Sequence, residues 1–128
     1  MKLNTILFSA LLLATSGSGA FAERLDQKEI VDFIGGKKVL LATGYGIEFP
    51  MYYRANGSVT GDGEGTTLGK FFAPKETGRW WVDGSQMCQQ FPTWYDGKPL
   101  CFELKRTGDT TMIWYREDGK KGTARISG

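Results

Sequence analysis

TGRWWVDGSQMCQQFPTWYDGKPLCFELKRTGDTTMIWYREDGKKGTARI, residues 77–126, is a chain of short alternating segments cut by glycine turns. The turns fall at Asp83-Gly84, Asp96-Gly97, Thr107-Gly108-Asp109 and Asp118-Gly119. Each supplies the glycine with Asp that tight hairpins favour. Between them, apolar and polar residues alternate, the period of a half-buried strand. In PLCFELKR, Leu100, Phe102 and Leu104 share one face, with Cys101, Glu103 and Lys105 on the other. The spacing of turns is that of an all-β sandwich or barrel.

The pattern extends upstream. IEFPMYYR puts Ile47, Phe49, Met51 and Tyr53 on one face. Pro50 has no N–H to give a ladder, which predicts an edge strand or a bulge there. Asn56-Gly57 is a strong hairpin signal, and SVTG begins the return strand. Asn56-Gly57-Ser58 also fits a glycosylation sequon, but the turn already accounts for it. KKVLLAT reads as the first strand. The fold expected is mainly β: an antiparallel meander of seven or eight strands curled into a small barrel, which removes exposed edges.

One helix is expected before the strands, in LDQKEIVDFIGG. Asp26 and Glu29 have the spacing of a capping box, and Leu25 and Ile30 that of a hydrophobic staple. Ile30, Phe33 and Ile34 form its apolar face, and Gly35-Gly36 ends it. Residues 1–22 have a basic start, a short apolar run from Ile6 to Ala14 and Ala20-Phe21-Ala22, the pattern of a cleaved secretory signal. Residues 23–128 then form a single small domain with no transmembrane segment.

The chain has no histidine. Histidine-dependent nucleophilic catalysis is therefore excluded, and a zinc site is not expected. A formal net charge of +2 gives no basic stripe for nucleic acid. The glycine-rich stretch 61–70 lacks phosphate-loop spacing and the calcium-loop pattern, and reads as a hairpin loop. No cofactor is expected. Glu48, Asp62, Glu64, Glu103 and Asp118 leave carboxylate-based hydrolysis open.

Cys88 and Cys101 are the only cysteines. Alternation puts both on the polar face of consecutive strands, so a hairpin pairing sets the sulfurs opposite each other. In an exported protein this predicts a structural disulfide, and the spacing is not that of a CxxC redox motif. The staple would fix the loop carrying Trp94 and Tyr95. Trp80 and Trp114 read as core; Trp81, Trp94, Tyr95, Tyr52 and Tyr115 are candidates for exposed positions. With Arg79, Arg106 and Arg116 nearby in sequence, Trp81, Trp94, Tyr95, Arg79 and Arg106 form a candidate surface patch, since aromatics and arginine are enriched at interface hot spots.

Ile34-Gly35-Gly36 after a short helix, the hairpin from Asn56 to Gly61, Gly78 to Trp80, and then Cys88, Trp94 and Cys101 resemble a pattern found in small exported proteobacterial proteins of unknown function. The resemblance implies a periplasmic or secreted location and transfers no activity. NGSVTG is also similar to a turn in avidin-like barrels, but the rest of that pattern does not match, and no ligand is carried over.

Three functions follow as expectations. The first is a non-catalytic periplasmic or secreted binding module, such as an inhibitor or accessory, using the aromatic patch against an envelope protein or polymer. The alternative is a lipocalin-like carrier of a small apolar ligand, lined by Phe49, Met51, Phe102, Leu104 and Met112. A carboxylate-based hydrolase is third.

Overall fold

The computed structural model describes residues 23–44, 46–63 and 75–127. The expected signal sequence and residues 64–70 of the glycine-rich stretch, Glu64 among them, lie outside the described residues. Eight strands follow one helix: β1 (Lys37–Ala42), β2 (Glu48–Tyr53), β3 (Ser58–Gly61), β4 (Glu76–Asp83), β5 (Gln86–Gln90), β6 (Leu100–Arg106), β7 (Thr111–Arg116) and β8 (Lys121–Ser127). Each pairs antiparallel with its neighbours in sequence. The β1–β8 pairing, from Lys38–Ser127 to Leu41–Ala124, closes the barrel.

Closure corrects the reading of Pro50. β2 is not an edge strand, since it pairs with both β1 and β3. The paired register with β3 ends at Met51–Gly61, and the Pro50 carbonyl still accepts from the Asp62 N–H at 3.0 Å. In an antiparallel strand the N–H and C=O of one residue point the same way. The missing donor therefore falls at the end of a ladder, where little pairing is lost.

Alternation sorts the side chains. Val39, Met51, Tyr53, Val59, Met87, Phe102, Leu104, Met112 and Ala124 are buried inside the barrel. Trp80 is buried with them, its indole donating to the Arg54 carbonyl at 2.8 Å. Trp114 is partly buried and packs on the same core.

The helix α1 (Gln27–Ile34) plugs one end. Its capping box is complete: the Glu29 N–H donates to Asp26 Oδ1 and the Asp26 N–H to Glu29 Oε1, both at 2.9 Å. Both staple residues are buried, Leu25 and Ile30, and so are Phe33 and Ile34. The Leu25 N–H donates to the Leu104 carbonyl at 2.8 Å, which ties the approach to the helix onto β6. Of the two glycines that end the helix, Gly36 takes the left-handed conformation at φ +75°, while Gly35 remains extended.

Cys88 and Cys101 are direct partners in the β5–β6 register and form the expected disulfide. They lie on the outer wall, as alternation indicates. Cys88 is nonetheless buried, beside its other register partner, Trp81 of β4.

Candidate functional site

The two ends of the barrel differ in chemistry. At the helix end, a wide groove of about 980 Å³ runs between α1 and the rims of β1, β2 and β6. It is the larger hollow, but its cations already have partners. Lys37 donates to the Asp32 carbonyl, Arg54 to the hydroxyls of Ser58 and Thr60, and Arg106 to the carbonyls of Gly108 and Asp109. Arg106 also stacks on Phe33 at 4.8 Å. The groove reads as a solvated rim.

At the opposite end a narrow lumen of about 70 Å³ lies below a mouth of about 370 Å³. The two spaces share Leu41, Gln89, Tyr95 and Trp114 as lining. Of the residues expected to line a carrier cavity, Phe102, Leu104 and Met112 face the lumen, and Phe49 and Met51 face the mouth.

The loop between β5 and β6 builds the mouth. Its short helical turn, Trp94–Gly97, is wound left-handed at Tyr95 (φ 57°) and Asp96 (φ 58°). This conformation is costly for non-glycine residues. Several bonds hold it: Gln90 Nε2 donates to the Gly97 carbonyl at 2.8 Å, and the Glu76 carboxylate accepts from the Thr93 and Trp94 N–H groups and the Thr93 hydroxyl. Burial works to raise the Glu76 carboxyl, but the bonds from Thr93 and Trp94 outweigh it and hold it below its ordinary value.

So anchored, the Trp94 ring turns into the barrel. It packs on Phe91 at 4.4 Å and Phe49 at 5.7 Å between ring centroids. It also lies over Gly61, where a Cβ would come within 2.2 Å of the indole edge. Gly122 receives Trp114 in the same way, with a Cβ there falling 2.5 Å from the ring. Both indole N–H groups are buried, and neither has a hydrogen-bond partner among the described residues.

One polar bridge crosses the lumen. The Tyr53 hydroxyl donates to Gln89 Oε1 at 2.6 Å. Burial, with a smaller contribution from Tyr95, pushes the Tyr53 pKa far up, so the phenol remains neutral. At the rim, Arg116 makes a two-point pair with Asp118, at 3.0 and 2.7 Å. The bond from Arg116 holds the Asp118 carboxyl down to about 2, helped by the Lys120 N–H. Tyr95, half exposed, stands 5.7 Å from the Arg116 guanidinium.

The five residues read as a surface patch are dispersed. Arg79 and Trp81 stack on the outer wall of β4, 4.6 Å apart. Trp94 faces inward, and Tyr95 stands at the rim. Arg106 is at the helix end. Sequence reasoning missed Gln89 and the two glycine cradles. The alternation in QMCQQF, which sets Gln89 beside Met87 and Phe91, was the available signal.

Of the carboxylates that left hydrolysis open, Glu48, Glu103 and Asp118 are ion-paired. Glu48 is held by Arg125 at 2.7 and 2.8 Å, and Glu103 by Arg24 at 2.6 Å. Hydrogen bonding to Arg125 lowers the Glu48 pKa, and Glu76 and Asp118 are lowered too. A general acid needs the opposite shift. Among the described residues no group of three or more His, Cys, Asp or Glu is placed to hold a metal ion. No protein-family model, curated protein or solved structure matches the chain.

Proposed function

We propose that this barrel is an exported carrier or receptor for a small, largely apolar molecule, which enters at the end opposite α1. The observation that carries this reading is the mouth cavity of about 370 Å³, walled by Phe49, Met51, Trp94 and Trp114 and joined to the lumen through shared lining. That volume lies within the usual range for small-molecule sites, which are mostly apolar with a few placed polar groups. An eight-stranded barrel is nearly filled by its own side chains. Here α1 and the core fill the lower half, so the ligand sits in the upper half. The disulfide supports export, because such bonds persist in oxidising compartments. No helix among the described residues is long and apolar enough to cross a membrane.

The carrier reading is favoured over a patch that docks a protein because the structure divides that patch between the outer wall, the mouth and the helix end. Titration with N-phenyl-1-naphthylamine, a neutral fluorescent probe, tests it. Saturable binding with quenching of tryptophan emission is expected, and Trp94→Ala should change the affinity at least several-fold. A linear, non-saturable response in the wild-type protein would refute the carrier reading.

A further inference from the structure

We infer that the ligand is a compact aromatic molecule, two or three rings in size, and not a long alkyl or acyl chain. This inference rests on the carrier reading and specifies the shape of its ligand. The two joined spaces differ in what they can hold. A closed apolar cavity of roughly 150 Å³ takes up one benzene. The lumen, at about 70 Å³, is too small for a ring. The mouth, at about 370 Å³, has room for two or three.

The lumen is also obstructed. The hydrogen bond from Tyr53 to Gln89 crosses it, and both residues are buried. Gln89 lines both spaces, so this bridge stands where one passes into the other. Beyond it, Ile34 of α1, Met87, Leu104 and Met112 crowd the lumen from the core. A chain entering end-on meets this floor and has to coil within the mouth. Coiling fixes each of its rotatable bonds, and the lost freedom weakens binding. A fused ring system has no such freedom to lose.

The walls of the mouth favour an aromatic body. Among the described residues, four of the nine that line it are aromatic: Phe49, Trp94, Tyr95 and Trp114. Three of these rings are held by the barrel itself. Trp94 is seated over Gly61, with Phe49 near edge-on to it at 5.7 Å. Trp114 is seated at Gly122, edge-on to Phe102 at 5.6 Å. Met51 adds a thioether to the same wall, a group that makes favourable contacts with rings. Contacts between aromatic rings stabilise beyond the area they bury. Walls already in place keep that gain, because binding does not have to order them.

Three ten-carbon alcohols test this by calorimetry: 1-naphthol, 1-decalol and 1-decanol. Each is uncharged at neutral pH and carries one hydroxyl, so they differ in shape and aromaticity. 1-Decanol is the most apolar and 1-naphthol the least, and a site that selected by hydrophobicity alone would rank them in that order. The inference expects the reverse, with 1-naphthol tighter than 1-decanol by about tenfold and 1-decalol between them. Met112→Ala enlarges the lumen below the mouth. It should raise the affinity for 1-decanol several-fold and leave that for 1-naphthol little changed. Phe49→Leu keeps the wall apolar but removes a ring. It should weaken 1-naphthol several-fold and 1-decanol hardly at all. Both variants are read in protein whose circular dichroism is native, and the wild-type ranking stands without them.

1-Decanol equal to or tighter than 1-naphthol overturns the inference and leaves the carrier reading standing. 1-Decalol equal to or tighter than 1-naphthol overturns the aromatic class, again without touching the cavity. Failure of all three to bind while N-phenyl-1-naphthylamine binds overturns the inference alone. Failure of all three together with that probe overturns both. An unchanged ranking in both variants shows that neither the narrow lumen nor the ring wall selects the ligand, and overturns the inference in that way.

Discussion

The Tyr53 hydroxyl of β2 reaches across the barrel to Gln89 of β5, donating to its side-chain carbonyl at 2.6 Å. The two strands are not neighbours in the sheet, so the bond spans the lumen. Both residues are buried. Removing one partner leaves the other without its bond in a closed interior. Tyr53→Phe should therefore destabilise the protein by about 1–3 kcal/mol. Combining Tyr53→Phe with Gln89→Leu in one chain should cost less than the single change. Urea unfolding of the two variants checks this; a double variant less stable than Tyr53→Phe alone would contradict it.

The mouth depends on two missing side chains. A Cβ at Gly61 would lie 2.2 Å from the Trp94 ring and 3.1 Å from Met51 Sδ. Gly61→Ala is expected to push Trp94 outward, at about 1–3 kcal/mol of overpacking cost. Tryptophan emission should shift to the red and probe binding should fall. Gly84→Ala separates crowding from backbone strain: nothing lies within 4 Å of a Cβ at that turn, but its φ of +62° is unfavourable for alanine, so stability should fall without the emission shift.

The Cys88–Cys101 bond closes a separation of 13 residues around the loop that carries Trp94 and Tyr95. Replacing both cysteines with alanine should lower stability by about 3 kcal/mol in the chain-entropy model. Probe affinity should also drop, since the loop loses an anchor. Thermal unfolding with and without reductant measures the first effect; reductant should have no effect on the variant.

Glu76 makes the mouth sensitive to acid. Its carboxylate gathers three hydrogen bonds from Thr93 and Trp94, which hold its folded pKa below the ordinary 4.5. A group with a depressed folded pKa contributes its full stability above the unfolded value and loses it as pH falls through the folded value. The Trp94 loop should thus be secure above about pH 5 and loosen as pH drops below 4.5. Tryptophan fluorescence followed from about pH 7 to about pH 3, across the carboxylate range, should show the change. In Glu76→Gln the spectrum at neutral pH should already resemble the acid form, and a full acid transition in that variant would assign the change to another group.

Much of the local structure is legible in the sequence. Asp26 and Glu29 announce a helix start because a cap is satisfied by residues three apart. The cysteines announce their bond because a period of two places Cys88 and Cys101 on one face of adjacent strands. Tryptophans are harder. Trp80 and Trp81 are separable by alternation, but Trp94 sits in a loop, where no period applies. Its ring settles against Phe49 and Gly61, which only closure of the sheet brings near. Pro50 misleads for the same reason: a missing donor signals an edge in an open sheet, and it falls harmlessly at a ladder end in this one.

Sequence alone determined the elements of this protein: a capped helix, a meander of turn-punctuated strands and the pairing of its two cysteines. Those depend on spacings of two to four residues and on hairpin neighbours, so the chain states them directly. Tertiary structure decided what the barrel can hold. Which end is plugged, that Trp94 turns inward and that Tyr53 finds Gln89 all arise from contacts between distant strands. They follow from closing the sheet between β1 and β8, a relationship between residues far apart in the chain that no local pattern encodes.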